Sequence, residues 1–140
     1  MKKQIIKMVC IIFVLILLFS FDVKQIAGNS MFPTLKAGSF VVGINRRYVQ
    51  IKKDNVIIFE KGGQILIKRI VAEKGDIISS KNDSLCINGN IIKGCYYANS
   101  KAVILAENEY FVVGDNYDVS VDSRTFGVIK RAQIKSAVIL

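Results

Sequence analysis

Hydrophobic and polar positions divide this chain into one long apolar run and a series of short ones. Residues Met8 to Phe21 are apolar throughout apart from Ser20 and the small Cys10. As a helix, these 14 residues rise about 21 Å, against about 30 Å for the hydrocarbon core of a bilayer. Counted from Ile5, with the Lys7 amine reaching back toward water, the rise is about 25 Å. The run therefore reads as a short membrane anchor or as the core of a cleavable signal peptide. Cleavage needs a small-x-small site; Phe21-Asp22-Val23-Lys24-Gln25 has none, and Ile26-Ala27-Gly28 matches weakly. The pattern favours the anchor. Lys2, Lys3 and Lys7 precede it and would hold the N-terminus in the cytoplasm. The expected organisation is a basic N-terminus with a single transmembrane helix over residues 1–22, then an extracytoplasmic domain over residues 23–140.

Beyond residue 22 the apolar runs are short and rich in β-branched residues, and Gly, Asn and Asp bound most of them. Strands are predicted at Ser39–Ile44, Val56–Phe59, Ile65–Val71, Leu85–Ile87, Ile91–Ile92, Glu109–Val113, Gly127–Ile129 and Ala137–Leu140. Asn88-Gly89 between two of these runs is a strong hairpin signal. No stretch holds a helical period over three turns. The fold class is mostly β: a compact β-rich domain behind one helix.

Composition narrows the function. With 140 residues, one proline and ten glycines, the chain suits a single ordinary domain rather than disorder. The net charge of +9 fits a solvated surface or attraction to anionic lipid heads. It lacks the basic stripe with interleaved aromatics, or the helix-turn-helix pattern, that nucleic-acid binding needs, so no nucleic acid is expected. Cys10 reads as a small hydrophobe inside the apolar run. Cys86 and Cys95 flank the hairpin without metal-ligand spacing, and a disulfide between them stays open at this level. No metal and no cofactor is expected.

With no histidine in the chain, a Ser-His-Asp triad is impossible. A serine can instead be activated by a neutral lysine, provided burial lowers the amine's pKa. Lys68 sits inside Ile65-Leu66-Ile67-Lys68-Arg69-Ile70-Val71 and would share a strand face with Leu66 and Ile70. Arg69 shares the other face with Ile67 and Val71, so periodicity does not choose between the two cations. Chemistry does, because arginine stays protonated and cannot act as a base. The competing reading is a strand with two snorkelling cations. Ser30, in Gly28-Asn29-Ser30-Met31-Phe32-Pro33-Thr34-Leu35, reads either as a turn residue or as a nucleophile. It follows Phe21 by nine residues, so it lies within about 30 Å of that residue even in an extended chain. In the segment Gly114–Arg124, Asp122 and Arg124 are spaced to pair, and Ser120 could hydrogen-bond a nearby amine; the alternative is a polar loop.

Taken together, these stretches resemble the bacterial type I signal peptidases, the Ser-Lys proteases that remove signal peptides. Ser30-Met31-Phe32-Pro33-Thr34-Leu35 matches the family's Ser-Met-x-Pro-Thr-Leu box throughout. Lys53-Asp54-Asn55-Val56-Ile57 is a degraded counterpart of a Gly-Asp-Ile/Val-Val box. Lys68-Arg69-Ile70-Val71-Ala72-Glu73-Lys74-Gly75-Asp76 follows the Lys-Arg box, with Ala72 and Lys74 in place of its usual Gly and Pro. Gly114-Asp115-Asn116, Ser120, Asp122-Ser123-Arg124 and Gly127 follow the last box. The resemblance implies Ser30 as nucleophile and Lys68 as general base. It further implies Ser120 as the residue that orients the lysine amine, an Asp122–Arg124 ion pair with Arg69 nearby, and the Ser30 N–H as an oxyanion donor. Some relatives add a hydroxyl two residues before the nucleophile; Gly28 cannot. The family fold accepts its substrate as an added strand and selects small residues at positions −1 and −3. Here Ile26, Gly28, Met31, Leu35 and Ile67 are expected to line that groove. The implied partners are preprotein signal peptides and the lipid bilayer. A dedicated pilin or conjugation-protein peptidase, or a non-catalytic pilus-assembly relative, are the alternatives; a self-cleaving repressor ranks below them.

Overall fold

The structure, a computed structural model, describes residues 2–99 and 101–140. Helix α1 (Lys2–Ser20) comes first, with the large apolar side chains between Ile5 and Ile16, and that of Phe19, 46% to 73% exposed. The transmembrane helix expected here is not supported. Among the described residues no helix is long and apolar enough to cross a membrane. Lysines occupy the first two turns, and the apolar stretch between Lys7 and Ser20 rises only about 18 Å. The Ser20 hydroxyl donates back to the Ile16 carbonyl (2.7 Å). From Phe21 the pattern turns from apolar throughout to alternating, and the chain becomes a strand.

The strands are β1 (Phe21–Gln25), β2 (Phe40–Asn45), β3 (Val56–Lys61), β4 (Gln64–Ala72), β5 (Ile77–Lys81), β6 (Ser84–Ile87), β7 (Asn90–Tyr96), β8 (Val103–Ile104), β9 (Glu109–Val113), β10 (Ile129–Lys130) and β11 (Ile134–Val138). One helical turn, α2 (Ser123–Phe126), lies between β9 and β10. The mostly-β expectation holds. A seven-stranded sheet runs β1-β2-β11-β3-β4-β9-β10 and a four-stranded sheet runs β7-β6-β5-β8. The described pairings are all antiparallel. Asn88-Gly89 makes the expected two-residue hairpin between β6 and β7, with φ of 51° and 83°. Cys86 and Cys95 lie buried on these two strands as free thiols, with no disulfide between them.

Apolar runs and alternating runs have different fates. Val56-Ile57-Ile58-Phe59 is buried on both faces. Ile57 and Phe59 join a core with Ile70, Tyr110, Val112 and Ile134. Val56 and Ile58 face the other way, onto Ile26, Met31, Leu35 and Val41. β9 does the same: Tyr110 and Val112 point into the first core, Phe111 and Val113 into a third core beneath the small sheet. The large sheet is therefore covered on both sides, and the next step depends on where β4 and β9 part. β9 ends at Val113, opposite Arg69, so among the described strands none pairs with Gln64–Lys68 on that side.

Candidate active site

Ser30 stands on a run of turns between β1 and β2, held from below by its neighbours. Met31 and Leu35 are buried in the core against Ile58, and the Leu35 N–H donates to the Met31 carbonyl (2.8 Å). That anchoring leaves Ser30 at the surface of the core, pointing toward β4. On β4, burial alternates as the sequence pattern predicts: Lys68 is 4% exposed and Ile70 fully buried. The result is close contact between residues 38 apart in sequence, with Lys68 Nζ 2.7 Å from Ser30 Oγ. The amine also donates to the Ile67 carbonyl (3.0 Å).

Burial pushes the Lys68 amine below the usual lysine range, and the charge of Asp122 pulls weakly the other way. None of the described ion pairs involves Lys68. Neutral, the amine can accept the Ser30 hydroxyl proton; protonated, it cannot.

The segment after β9 packs against this pair. The Asn116 N–H donates to the Ser30 carbonyl (3.0 Å), and Asn116 Nδ2 to the Asn29 carbonyl (3.2 Å). Gly114 lies so close that a β-carbon there would sit 2.5 Å from the Ser30 carbonyl oxygen and closer still to Ser120 Oγ. Asp122 is fully buried, caps α2, and accepts from the Gly114 N–H (3.0 Å) and from Arg124 Nε and Nη2 (2.9 Å each). Burial opposes its charge, but Arg124, the nearby Ser120 hydroxyl and the Gly114 N–H outweigh that and hold its carboxyl below the usual range. The expected Asp122–Arg124 pair is present.

Ser120 is brought to the site but not to its expected bond. Its hydroxyl is buried without a hydrogen-bond partner, because the Lys68 amine is turned to Ser30 and the Ile67 carbonyl. Arg69 does not join the Asp122–Arg124 pair. It grips Asp115 with two bonds (Nε 2.8 Å, Nη2 2.7 Å) and donates to the Asp54 carbonyl (3.0 Å). The side-chain bond to Asp115 is the largest reason its guanidinium is held above the usual range. The roles of Asp115 and Asn116 in these contacts are not among the sequence-based expectations; their place in the Gly-Asp-Asn box is the signal that points to them. Of the expected groove residues, Ile26, Met31 and Leu35 are buried in one core, Ile67 packs against it, and the space around Gly28 is open. A cavity of about 860 Å³ lies elsewhere, between Phe19, Arg46, Glu60 and Lys135. None of the residues lining it is Ser30 or Lys68. Among the described residues no cluster of His, Cys, Asp and Glu could hold a metal.

The model of the family described as "Signal peptidase, peptidase S26" matches residues 2–140. The chain belongs to the S26 signal peptidase family. Signal peptidase IB of Staphylococcus aureus strain COL is 31% identical to this S26 peptidase, over 99% of the chain and 89% of the relative. Signal peptidase I S of Bacillus subtilis strain 168 is 32% identical over 95% and 86%. The crystal structure of a signal peptidase I from Enterococcus faecalis V583 is similar to this S26 peptidase with a TM-score of 0.52 at 26% identity. It covers 65% of this chain and 98% of that one.

Proposed function

We propose that this S26 peptidase removes signal peptides from exported preproteins, with Ser30 as nucleophile and Lys68 as general base. The observation that carries the reading is the 2.7 Å approach of Ser30 Oγ to a buried amine. Ser30 Oγ attacks the scissile carbonyl carbon as its proton passes to Lys68 Nζ. The tetrahedral oxyanion takes a hydrogen bond from the Ser30 N–H. Lys68 then gives the proton to the leaving amine as the C–N bond breaks, leaving an ester on Ser30. A water deprotonated by Lys68 hydrolyses that ester and frees the serine. The unpartnered Ser120 hydroxyl is a ready acceptor for Lys68 once the amine is charged. The Asp122–Arg124 pair fixes the loop that carries Ser120.

The substrate enters as an extended chain along the unpaired edge of Gln64–Lys68, with Ile26, Gly28, Met31, Leu35 and Ile67 shaping small subsites at −1 and −3. Residues 1–22 form the membrane-anchoring part and 23–140 the catalytic domain. The exposed apolar surface of α1 supports lipid contact, and Lys2, Lys3 and Lys7 support a cytoplasmic N-terminus with the catalytic domain outside. The short apolar stretch is met by lysines snorkelling and by local thinning of the bilayer.

The test is purified protein in lipid with a preprotein carrying Ala-x-Ala. Cleavage after the second alanine is expected, with none from Ser30→Ala or Lys68→Ala. Full cleavage by either variant overturns the dyad. Release of the full chain from membranes by alkaline carbonate overturns the anchoring.

A further inference from the structure

The Ser30 N–H is half of a peptide unit whose other half is the Asn29 carbonyl. That peptide is trans, since Phe32-Pro33 is the cis bond recorded among the described residues. In a planar trans peptide the C=O and N–H point in opposite directions. Whatever holds the Asn29 carbonyl therefore aims the Ser30 N–H. Two donors hold it: the Phe32 N–H at 3.1 Å, within the turn itself, and Asn116 Nδ2 at 3.2 Å, from the far side of the site. Asn116 also donates its backbone N–H to the next carbonyl, that of Ser30, at 3.0 Å. The next peptide is thus tied as well, by a bond that survives any side-chain change.

We propose that Asn116 is a positioning residue for the oxyanion donor: its amide holds the plane of the 29–30 peptide and so aims the Ser30 N–H at the tetrahedral intermediate. A hydrogen bond accepted by the carbonyl also polarises the peptide and strengthens its N–H as a donor. The position matters more here because Gly28 offers no hydroxyl as a second donor, so the peptide plane is not backed up by a side chain. The inference rests on Ser30 being the nucleophile.

The experiment compares wild type, Asn116→Ala, Asn116→Asp and Ser30→Ala in lipid on the same preprotein. Asn116→Asp keeps the shape and the backbone N–H but replaces the donor with a charged acceptor, whereas Asn116→Ala removes the donor without adding charge. Both Asn116 variants are expected to lose about tenfold in kcat, a fraction of the ~10²–10³ seen when an oxyanion donor is deleted outright. In Asn116→Ala, KM, the acid limb of the pH profile and Tm are expected to stay put; in Asn116→Asp the added charge is expected to move the limb to higher pH. A peptide aldehyde ending in alanine, whose adduct with the serine carries the same oxygen, should lose affinity in step with kcat. Wild-type kcat in Asn116→Asp overturns the proposal, as does a loss confined to KM or Tm. Activity in Ser30→Ala instead overturns the nucleophile assignment.

Discussion

Lys68 and Arg69 are neighbours on one strand, each carries a cationic side chain, and the protein treats them in opposite ways. Arg69 reaches a region saturated with acceptors: both oxygens of Asp115 and the carbonyl of Asp54. Lys68 turns to the other face of β4, where it meets Ile57 across the strand pair and finds a serine hydroxyl and one carbonyl. Asp115 lies below the usual carboxylate range because the bonds from Arg69 and Thr34 outweigh the burial that opposes its charge. The Lys68 amine lies below its own range because burial outweighs the opposing pull of Asp122. One setting favours the charged side chain; the other disfavours it. Strand alternation alone delivers the two side chains to these two environments.

The sharpest way to break that contrast is to change Lys68 while leaving its volume. Lys68→Met should remove activity by on the order of 10⁴-fold or more, as loss of a base from a serine-protease site does. It should also raise thermal stability, by about 1 kcal/mol, because a buried amine with few partners is replaced by a thioether. The sign follows from linkage. Between the lowered folded pKa and the usual lysine value the unfolded chain holds more protons, so wild-type stability rises with pH across that window. In Lys68→Met this slope should vanish. Turnover assays and melts across pH 7 to 10 check both. Lys68→Arg should be equally inactive without the gain in stability, since it restores a permanent charge.

Gly114→Ala comes next. A β-carbon there would fall 2.5 Å from the Ser30 carbonyl oxygen and collide with the Ser120 side chain. The loop must retreat, and the retreat moves the serine rather than the lysine. A loss of about 10²–10³ in kcat is expected, in line with the sensitivity of such geometry to displacements near 1 Å. A Gly114→Ala enzyme with normal turnover would show that the two regions are not as tightly joined as the contact implies.

A smaller effect separates the two carboxylates. Activity requires neutral Lys68, so it should rise with pH through the lysine's lowered pKa. Asp122 favours the charged amine. Asp122→Asn should therefore move the acid limb to lower pH, at a stability cost of about 3 kcal/mol for breaking the buried pair with Arg124. Asp115→Asn should leave the limb where it is, since Asp115 is absorbed by Arg69. The Asp122 contribution to wild-type stability is itself present above the usual carboxylate pKa and lost as pH falls through the lower folded value.

The strands that were legible in the sequence are those whose burial is written locally. Val56–Phe59 and Glu109–Val113 are dense in β-branched and aromatic residues because both faces are covered. Phe21–Gln25 and Ile77–Lys81 were not read as strands, since half their positions are polar and their partners supply the pairing. Four-residue α2 is too short to show a period, and its cap Asp122 was read as an ion-pair residue only. The approach of Ser30 to Lys68 and the Asp122–Arg124 contact were legible because their boxes are local. The partner of Arg69 was not, as it lies 46 residues along the chain and competes with other carboxylates. The transmembrane expectation rested on the apolar run Met8–Phe21, whereas among the described residues no helix is long and apolar enough to cross a membrane.

Arg69→Lys tests the charge-keeping side of the comparison most gently. A lysine there preserves the sign but offers a point charge where the structure uses a fork. It can meet one oxygen of Asp115, not both, and it loses the bond to the Asp54 carbonyl. Because Asp115 sits between Gly114 and Asn116, the loosening should reach Ser30 only through the loop, lowering kcat about two- to fivefold, with a stability loss near 1 kcal/mol. The acid limb should not move, since Lys68 keeps its buried setting. A limb that shifted in Arg69→Lys would mean that the cations communicate directly, and that the division of labour along β4 is an electrostatic balance rather than a separation by face.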